Sequence, residues 1–460
     1  MTRNPSPAFF ALGLGALVVS VLLGNLALLS FELPQWLRDV LPFRMLRPMH
    51  VSLAVGWLFA GIIGFVYYAL RELTGRPLPH RWLWVHWAGY ALVGLAIMTA
   101  YTVNIYGGRE YWAFPPVLAT AILALWLFFG GVLIRYGRHI QRTHCCEDTG
   151  HFTRWPTYWW MWLTGWIFFT FTFIETYLWM FPFWGKTVVR DITVQWKAQG
   201  ALVGSWNMFL YGTSLYLMAH TAGGRRVACS PVGWWLYLLG LVNLIFGWAH
   251  HVYPVPNATW IRGLAYAVSM TELIVLARMI AQWRQSSTPP DASAFHGTLR
   301  WLHTTERWIF VNLILAIAIS VPVVNLYTHG THFTVAHAMG TTIGINTPIL
   351  LAALFYVLEK EGRRLSVGFA RHSVRMFNVG LAFFWAGFLL AGAVKAYYGW
   401  GKGLEWAVYR HKVGNALWVS YAASFLLIYV FIRIAWRAWR AASRPVVPAV
   451  KPEVEEEAIP

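Results

Sequence analysis

The chain has 460 residues, of which 58% are hydrophobic and only 12% are charged. That charged fraction is about half of what soluble globular domains carry, so the composition excludes an ordinary soluble enzyme and predicts one polytopic membrane domain. The formal net charge of +18 is also typical of nucleic-acid-binding proteins. Here, however, the basic residues stand between apolar runs rather than in one patch, which favours membrane topology as their explanation.

Twelve apolar segments follow one another along the chain, each long enough to span a bilayer at roughly 20 residues or more. We therefore predict an all-α bundle over residues 1–443 and a disordered, Pro-rich and acidic tail over residues 444–460. The first segment, Ala8 to Phe31, is long enough to be a span rather than a signal peptide. The twelve predicted spans begin near Ala8, His50, Leu83, Phe114, Thr157, Thr193, Val232, Thr259, Trp308, Phe333, Met376 and Lys412.

The loop charges predict how the bundle is oriented. With the N-terminus in the cytoplasm, about two-thirds of the 36 Lys and Arg residues fall on the cytoplasmic side. Both termini are therefore predicted to be cytoplasmic, and the abundant Trp residues suit the two membrane interfaces. Cys145, Cys146 and Cys229 then lie in cytoplasmic loops, where a reducing compartment predicts free thiols and no disulfide framework.

In this orientation, five potential metal ligands lie at one depth, in the outer half of the membrane. His50 opens span 2, the adjacent pair His250 and His251 closes span 7, and His337 and Met339 lie near the start of span 10. Histidine is costly in hydrocarbon, and neutral imidazoles suit transition metals. Their shared depth therefore favours a metal-binding role over the alternative, in which these histidines simply lie at the membrane interface and are hydrated among the headgroups.

The first and last of these segments have the spacing of haem sites. Arg47 and His50 are one helical turn apart, so they could supply a cation for a propionate and an axial imidazole to one haem. His337 and Met339 are two residues apart and leave a helix on nearly opposite faces, at roughly 200°. His337 can therefore ligate one metal, while Met339 faces a second one or simply packs.

Several polar residues lie within predicted spans. Glu272 in span 8 is either a proton relay or metal contact, or a protonated carboxyl bonded to a neighbouring helix. Glu175, near the outer end of span 5, is similar or simply interfacial. Lys197 and Gln199 in span 6 are polar at the depth of the histidines.

The motifs and their order resemble a known family. They are Arg47-x-x-His50, the pair His250–His251, Glu272, and the run Y-T-H-G-T-H-F-T-V-A-H from Tyr327 to His337. Together they resemble the catalytic subunit of the haem-copper oxidase superfamily, and most closely the large subunit of bacterial nitric oxide reductase. The resemblance runs through all twelve spans and so covers nearly the whole chain.

The resemblance implies two haems, b-type by analogy, and one non-haem metal, iron or copper. His337 would be the proximal ligand of the high-spin haem. His50 would ligate the low-spin haem, with Arg47 at a propionate. His250 and His251 would hold the non-haem metal.

The implied reaction reduces two NO molecules to N2O and water with two electrons and two protons, in denitrification and the respiratory chain of a bacterial cytoplasmic (inner) membrane. Glu272 would help deliver protons or contact the metal. The chain contains no C-x-x-C-H motif for a covalent haem, so its electron donor would be a cytochrome c subunit or a quinol.

Two positions depart from the family pattern. Met339 stands where the family has a histidine that completes bis-histidine ligation, although a thioether still ligates haem and raises its potential. Span 6 lacks the family's third metal-binding histidine and its acidic companion, and has no histidine before His220. Gln199, Ser205 or Asn207 could lie near that gap. The non-haem site is therefore a weaker two-histidine site, completed by another residue such as the span 8 carboxylate, or it is empty.

Three other functions compete with nitric oxide reduction. A terminal oxidase reducing O2 is one, but Tyr253 after the histidine pair lies in no family cross-link motif. A non-catalytic haem subunit that transfers electrons or senses NO is the second, and the missing histidine of span 6 supports it. A transporter with buried histidines is the third, and the ordered motifs argue against it.

Overall fold

The computed structural model describes residues 5–32, 35–109, 111–146, 154–221, 225–252, 258–286, 289–290 and 293–443. The predicted tail over 444–460 lies outside them. The described part is helical, as predicted. Its α-helices are α1 (Ser6–Glu32), α2 (Gln35–Val40), α3 (Phe43–Thr74), α4 (His80–Thr102), α5 (Pro116–Gly137), α6 (Thr157–Glu175), α7 (Pro182–Gly185), α8 (Val188–Thr221), α9 (Arg225–Ala228), α10 (Pro231–Phe246), α11 (Thr259–Ser286), α12 (His296–Ser320), α13 (Pro322–Thr328), α14 (His332–Met339), α15 (Thr347–Lys360), α16 (Val367–Lys395) and α17 (Trp406–Ser443).

Ten helical stretches within the described ranges are long and apolar enough to cross a membrane. They correspond to ten of the twelve predicted spans. The other two, spans 5 and 6, coincide with α6 and α8, which are helical but less apolar. The multi-pass all-α fold is thus confirmed, while the count of twelve spans and the cytoplasmic placement of the termini stay predictions.

Two spans form the centre of the bundle. The apolar windows of α3 and of the stretch His332–Lys360 are 78% and 83% buried, whereas those of α4 and α5 are 22% and 33% buried. α15 packs against α3, α8 and α12. The helices that carry His50 and His337 are therefore central, and α4 and α5 face the lipid.

The helix that begins with α14 changes its winding directly after Met339. Residues Gly340–Asn346 form a π-helical segment that leads into α15. Such segments are rare in proteins, and those that occur are often found at functional sites. Gly340 is the first residue of the segment, and α12 lies close to it. A Cβ at this position would be 2.2 Å from Oδ1 of Asn312, so only glycine fits here.

The expectation of free thiols is wrong for two of the three cysteines. Cys146 and Cys229 form a disulfide, with a Cα–Cα distance of 5.6 Å. The segment after α5 places Cys146 beside the end of α9, within the distance that a disulfide bridges. Cys145 is buried and does not take part in this disulfide. Residues 83 positions apart meet only through the tertiary fold, which the loop assignment did not reveal.

Replacing Cys229 with serine is expected to destabilise the protein, by about 2 kcal/mol or more, because a bridge that closes a long loop restricts the unfolded chain. The measurement is the thermal midpoint of the purified protein under non-reducing conditions. Cys145→Ser is the matched control and should leave the midpoint close to that of the wild type. Equal midpoints for wild type and Cys229→Ser would contradict the pairing.

Candidate functional site

Helix α1 positions His50 through hydrogen bonds with Ser20. Its Nδ1 lies 2.7 Å from the carbonyl oxygen of Ser20, and the Ser20 hydroxyl donates to the His50 carbonyl at 2.9 Å. A carbonyl oxygen only accepts, so Nδ1 carries the proton of this bond. The free electron pair of the neutral ring is therefore on Nε2, which is the tautomer that a metal ligand needs.

The approach of α1 to this ring is very close. A Cβ at Gly24 would lie 2.6 Å from His50 Nδ1 and 2.7 Å from its Cε1. No ordinary side-chain atom fits at such a distance, so glycine is needed here to let the imidazole lie flat against the α1 backbone. Arg47 lies one turn before His50 on α3, as predicted.

His337 lies in the last turn of α14, between the α12 side chains and the π-helical segment. Its Nδ1 is buried, and the ring lies close to the Asn312 backbone of α12. Asn312 on α12 donates to the Thr341 hydroxyl at 2.9 Å, and that hydroxyl donates to the His337 carbonyl at 3.1 Å. Helix α12 thus fixes the backbone of His337 through these two hydrogen bonds, which do not use the nitrogen atoms of its ring.

The T-H-G-T-H loop before α14 ties this helix to two neighbours. The His329 ring lies 5.4 Å from Trp196 of α8, and Lys395 of α16 donates to the Gly330 carbonyl at 2.8 Å. The hydroxyl of Thr331 caps α14 by accepting from the Phe333 N–H. Burial lowers the pKa of His329 below its usual 6.5, so this imidazole is neutral at pH 7.

The predicted histidine pair lies on a short 3₁₀ helix, Gly247–Val252, which packs on α8 and α11. The side chains of His250 and His251, and the whole of Tyr253, lie outside the described residues. Ala249 forms a small apolar cluster with Ala265 of α11, and Trp196 packs against this cluster. Trp196 therefore lies between the cluster that includes the histidine-pair segment and the loop before His337.

Gln199, one turn along α8 from this tryptophan, is 5% exposed, and its Nε2 is buried without a hydrogen-bond acceptor among the described residues. Lys197 pairs with Glu175 of α6. The Ser205 hydroxyl donates to the Leu202 carbonyl of its own helix at 2.6 Å, so it is already satisfied. Of the polar residues predicted near the gap, Gln199 is the one nearest to Trp196 along α8.

Comparison with known proteins places the chain in one family. The family model of cytochrome c and quinol oxidase polypeptide I matches residues 6–427. The chain belongs to this family. As a member of it, the protein is an oxidoreductase subunit, and the predicted enzyme class is confirmed. Subunits of this haem-copper oxidase family bind haems and a metal centre.

Two individual relatives are informative. The chain is 23% identical over 381 residues to a nitric oxide reductase subunit of Stutzerimonas stutzeri, and the match covers 76% of this chain and 74% of that protein. It also resembles a haem-copper terminal oxidase dimer solved by cryo-electron microscopy. That match has a TM-score of 0.73 and 14% identity, and covers 97% of this chain and 85% of the other. The second likeness shows the shared fold alone.

The haem-copper family's cofactors fit this chain unequally. An imidazole anchored through Nδ1 at His50 and a partly buried ring at His337, whose Nδ1 is fully buried, suit axial ligation of haem. The non-haem site is different. The side chains of His250 and His251 lie outside the described residues, and α8 has no histidine before His220 that could join them in a three-histidine site.

Sequence reasoning did not identify Ser20, Asn312, Trp196 or Asn243. Ser20 and Asn243 were visible as single polar residues in apolar spans, but nothing local indicated their partners. Asn243 of α10 donates to the Glu272 carboxylate at 2.8 Å. Glu272 therefore has a partner on the neighbouring helix, which both of its predicted roles allow.

Replacing Glu272 with glutamine separates these two roles. The amide oxygen of glutamine still accepts from Asn243, so the thermal midpoint should stay unchanged. If the carboxyl exchanges protons during turnover, the turnover rate should fall by about a hundredfold, as for loss of an acid–base group. A turnover rate equal to that of wild type would assign Glu272 to packing.

Proposed function

We propose that this haem-copper oxidase family member reduces two NO molecules to N2O and water, as a subunit similar to nitric oxide reductase. The observation that carries the proposal is the convergence at Trp196. This side chain packs against the cluster of Ala249 and Ala265, which includes the residue before His250, and lies 5.4 Å from the His329 ring of the loop that leads to His337. Two ligand-bearing segments thus share one wall beside α8. A pocket with a metal on each side suits a reaction in which two NO molecules must meet away from water.

In the proposed site, His337 holds the high-spin haem. His50 and Met339 hold the low-spin haem, with Arg47 at a propionate, and both haems are proposed to be b-type. A haem held in this way supplies the iron at which NO binds and the electron path to it. The protein's own contribution is to fix the ligand tautomer, as Ser20 does for His50, and to keep the pocket dry.

The non-haem metal, iron or copper, would be held by His250 and His251, with Glu272 as the candidate for a further ligand. Gln199 stands on α8 with an unpartnered amide N–H group, within the described residues, rather than a ligating nitrogen. An amide is a poor ligand for a transition metal but a good hydrogen-bond donor. We therefore assign Gln199 to hydrogen bonding with an oxygen atom of bound substrate.

Protons and electrons come from outside this pocket. Glu272, held by Asn243, is proposed as the last carboxylate that delivers protons. A cytochrome c subunit or a quinol is proposed as the electron donor. This setting corresponds to denitrification in the respiratory chain of a bacterial cytoplasmic (inner) membrane.

The test is anaerobic NO consumption by the purified protein with a chemical reductant, with N2O measured by gas chromatography. Rapid consumption with one N2O per two NO is expected, and His337→Ala should abolish it. Rapid O2 reduction with little NO consumption would instead assign a terminal oxidase. Two haems with no non-haem metal in the active protein would contradict the two-metal pocket.

A second candidate function has a specific observation in its favour. Because α8 has no histidine before His220, the chain could bind haem without a working metal pair, as a subunit that transfers electrons or senses NO. Intact haem spectra that change on NO binding, without N2O formation, would favour this function.

A further inference from the structure

A cavity of about 160 Å³ lies beside the Cys146–Cys229 disulfide, at the opposite end of α8 from Trp196. It is bounded by the start of α6, by the ends of α8 and α9 and by the segment that follows α5. Two histidines, His144 and His220, line it together with Cys229. Cysteine sulfur and imidazole nitrogen are the donor atoms that tetrahedral zinc sites use. The cavity therefore brings together the side-chain types of a zinc site.

His220 presents one ring nitrogen in the form that a metal needs. Its Nδ1 lies 2.8 Å from the Tyr216 carbonyl oxygen, which only accepts, so Nδ1 carries the proton of this bond. The lone pair of the neutral ring is then on Nε2. The His220 ring also stacks on the Tyr216 ring, with 4.0 Å between their centres. A bond that fixes the tautomer and the ring position in this way is typical of metal-ligating histidines.

His144 brings a second imidazole to the same cavity. Its ring centre lies 5.7 Å from that of His220. Two imidazoles that ligate one tetrahedral zinc ion have ring centres roughly 5 Å apart, given a Zn–N distance of about 2.1 Å. A small movement of the His144 side chain therefore lets both rings share one ion.

The two bridged cysteines stand on segments that other bonds hold in place. The Cys146 N–H donates to the Arg154 carbonyl at 2.8 Å. The Thr157 hydroxyl donates at 2.6 Å to the carbonyl of Ala228, the residue before Cys229. Two sulfurs of a tetrahedral zinc site are about 3.8 Å apart, given a Zn–S distance of about 2.3 Å. Cysteines whose Cα atoms are 5.6 Å apart reach that separation by rotation of their side chains.

We infer that reduction of this disulfide converts the cluster into a four-coordinate zinc site. Its ligands are the sulfurs of Cys146 and Cys229, Nε2 of His220 and a ring nitrogen of His144. A dithiol supplies two electrons and two protons: its own sulfurs become a disulfide, and both cysteines become thiols. Zn²⁺ then displaces the two thiol protons to water. Two thiolates and two neutral imidazoles balance the charge of the ion, so the loaded site is electrically neutral and suits a partly buried place.

The disulfide form and the zinc form exclude each other, because the disulfide uses both sulfurs. In that form no three His, Cys, Asp or Glu side chains of the described residues are grouped to hold a metal. The predicted orientation places this end of the bundle in the cytoplasm, where thiols are kept reduced. Reducing conditions therefore favour the zinc form. None of the four ligands belongs to the proposed haem and metal sites, so the zinc site stands or falls independently of nitric oxide reduction.

The test is zinc uptake by the purified full-length protein, prepared without a polyhistidine tag. One portion is kept oxidised, and the other is reduced with a phosphine that is then removed under argon. After equilibrium dialysis against Zn²⁺, the zinc content of both portions is measured by inductively coupled plasma mass spectrometry. The reduced protein is expected to bind one zinc ion more per chain than the oxidised protein. Equal zinc contents would overturn the inference.

Neighbouring residues supply matched control variants. Cys229→Ser should lose the additional zinc ion, whereas Cys145→Ser should keep it, because the Cys145 thiol donates to the Gln141 carbonyl at 3.4 Å instead. His220→Gln should lose it too. His139→Gln, which changes an exposed histidine outside the cavity, should not. Loss of the ion in both control variants would contradict the assigned ligands.

X-ray absorption at the zinc edge gives a readout that needs no variant. Reduced wild-type protein should show a shell of two sulfur and two nitrogen atoms around the additional zinc ion. A shell of nitrogen and oxygen without sulfur would overturn the inference, even if zinc uptake followed reduction.

Discussion

Replacing Gly24 with alanine is expected to remove the low-spin haem. The new methyl group would lie 2.6 Å from Nδ1 of His50, whose ring is already bonded to the Ser20 carbonyl and has no room to retreat on that side. Alanine favours a helix over glycine by about 1 kcal/mol, so propensity alone predicts a more stable helix. A loss of haem would therefore come from displacement of the ligand and not from unfolding of α1.

The measurement is the ratio of haem to protein, with the low-spin absorption spectrum of the oxidised protein. Gly15→Ala on the same helix is the control, because no described atom lies within 4 Å of its Cβ position. It should keep its full haem content. If Gly24→Ala also kept a full low-spin spectrum, His50 would not be the ligand in the proposed geometry.

Replacing Met339 with histidine is expected to lower the potential of the low-spin haem. Axial ligands move haem potentials within a span of roughly 0.8 V, and a thioether favours ferrous iron more than an imidazole does. In the oxidised wild type, a near-infrared charge-transfer band from sulfur to ferric iron should be present. Met339→His should lose that band but remain low-spin, and Met339→Leu should lose both the band and the low-spin spectrum.

Redox titration with optical detection checks the shift, and Met98→Leu on the peripheral helix α4 is the control. An unchanged low-spin spectrum in Met339→Leu would remove Met339 as a ligand. The departure from histidine would then mean that another residue completes the haem site.

The fold was predictable from the sequence because each span is a local property. A membrane span is visible in the sequence as an apolar run of sufficient length. Motifs such as Arg47-x-x-His50 depend only on neighbours within one helical turn. Contacts between distant positions were not predictable in this way. Ser20 is one polar residue in an apolar span, and only the packing of α1 on α3 reveals that it fixes the His50 ring.

The disulfide and the partner of Glu272 show the same limit. Cys146 and Cys229 are 83 residues apart, and the predicted compartment argued against their pairing. Glu272 was recognised as a buried carboxylate, but its donor Asn243 lies on another helix. The sequence thus predicts a set of candidate ligands, which stays a prediction, and it does not reveal the neighbouring residues on other helices that orient their side chains.

The π-helical segment Gly340–Asn346 separates two parts of one membrane-crossing stretch. A wider turn of this kind contains one more residue than an α-helical turn would, and each residue of an α-helix advances it by about 100°. Deleting a single residue here would therefore rotate His337 and Met339 by about that angle relative to the buried face of α15. A deletion of one residue in this segment would thus redirect the ligands of α14 while leaving the packing of α15 unchanged.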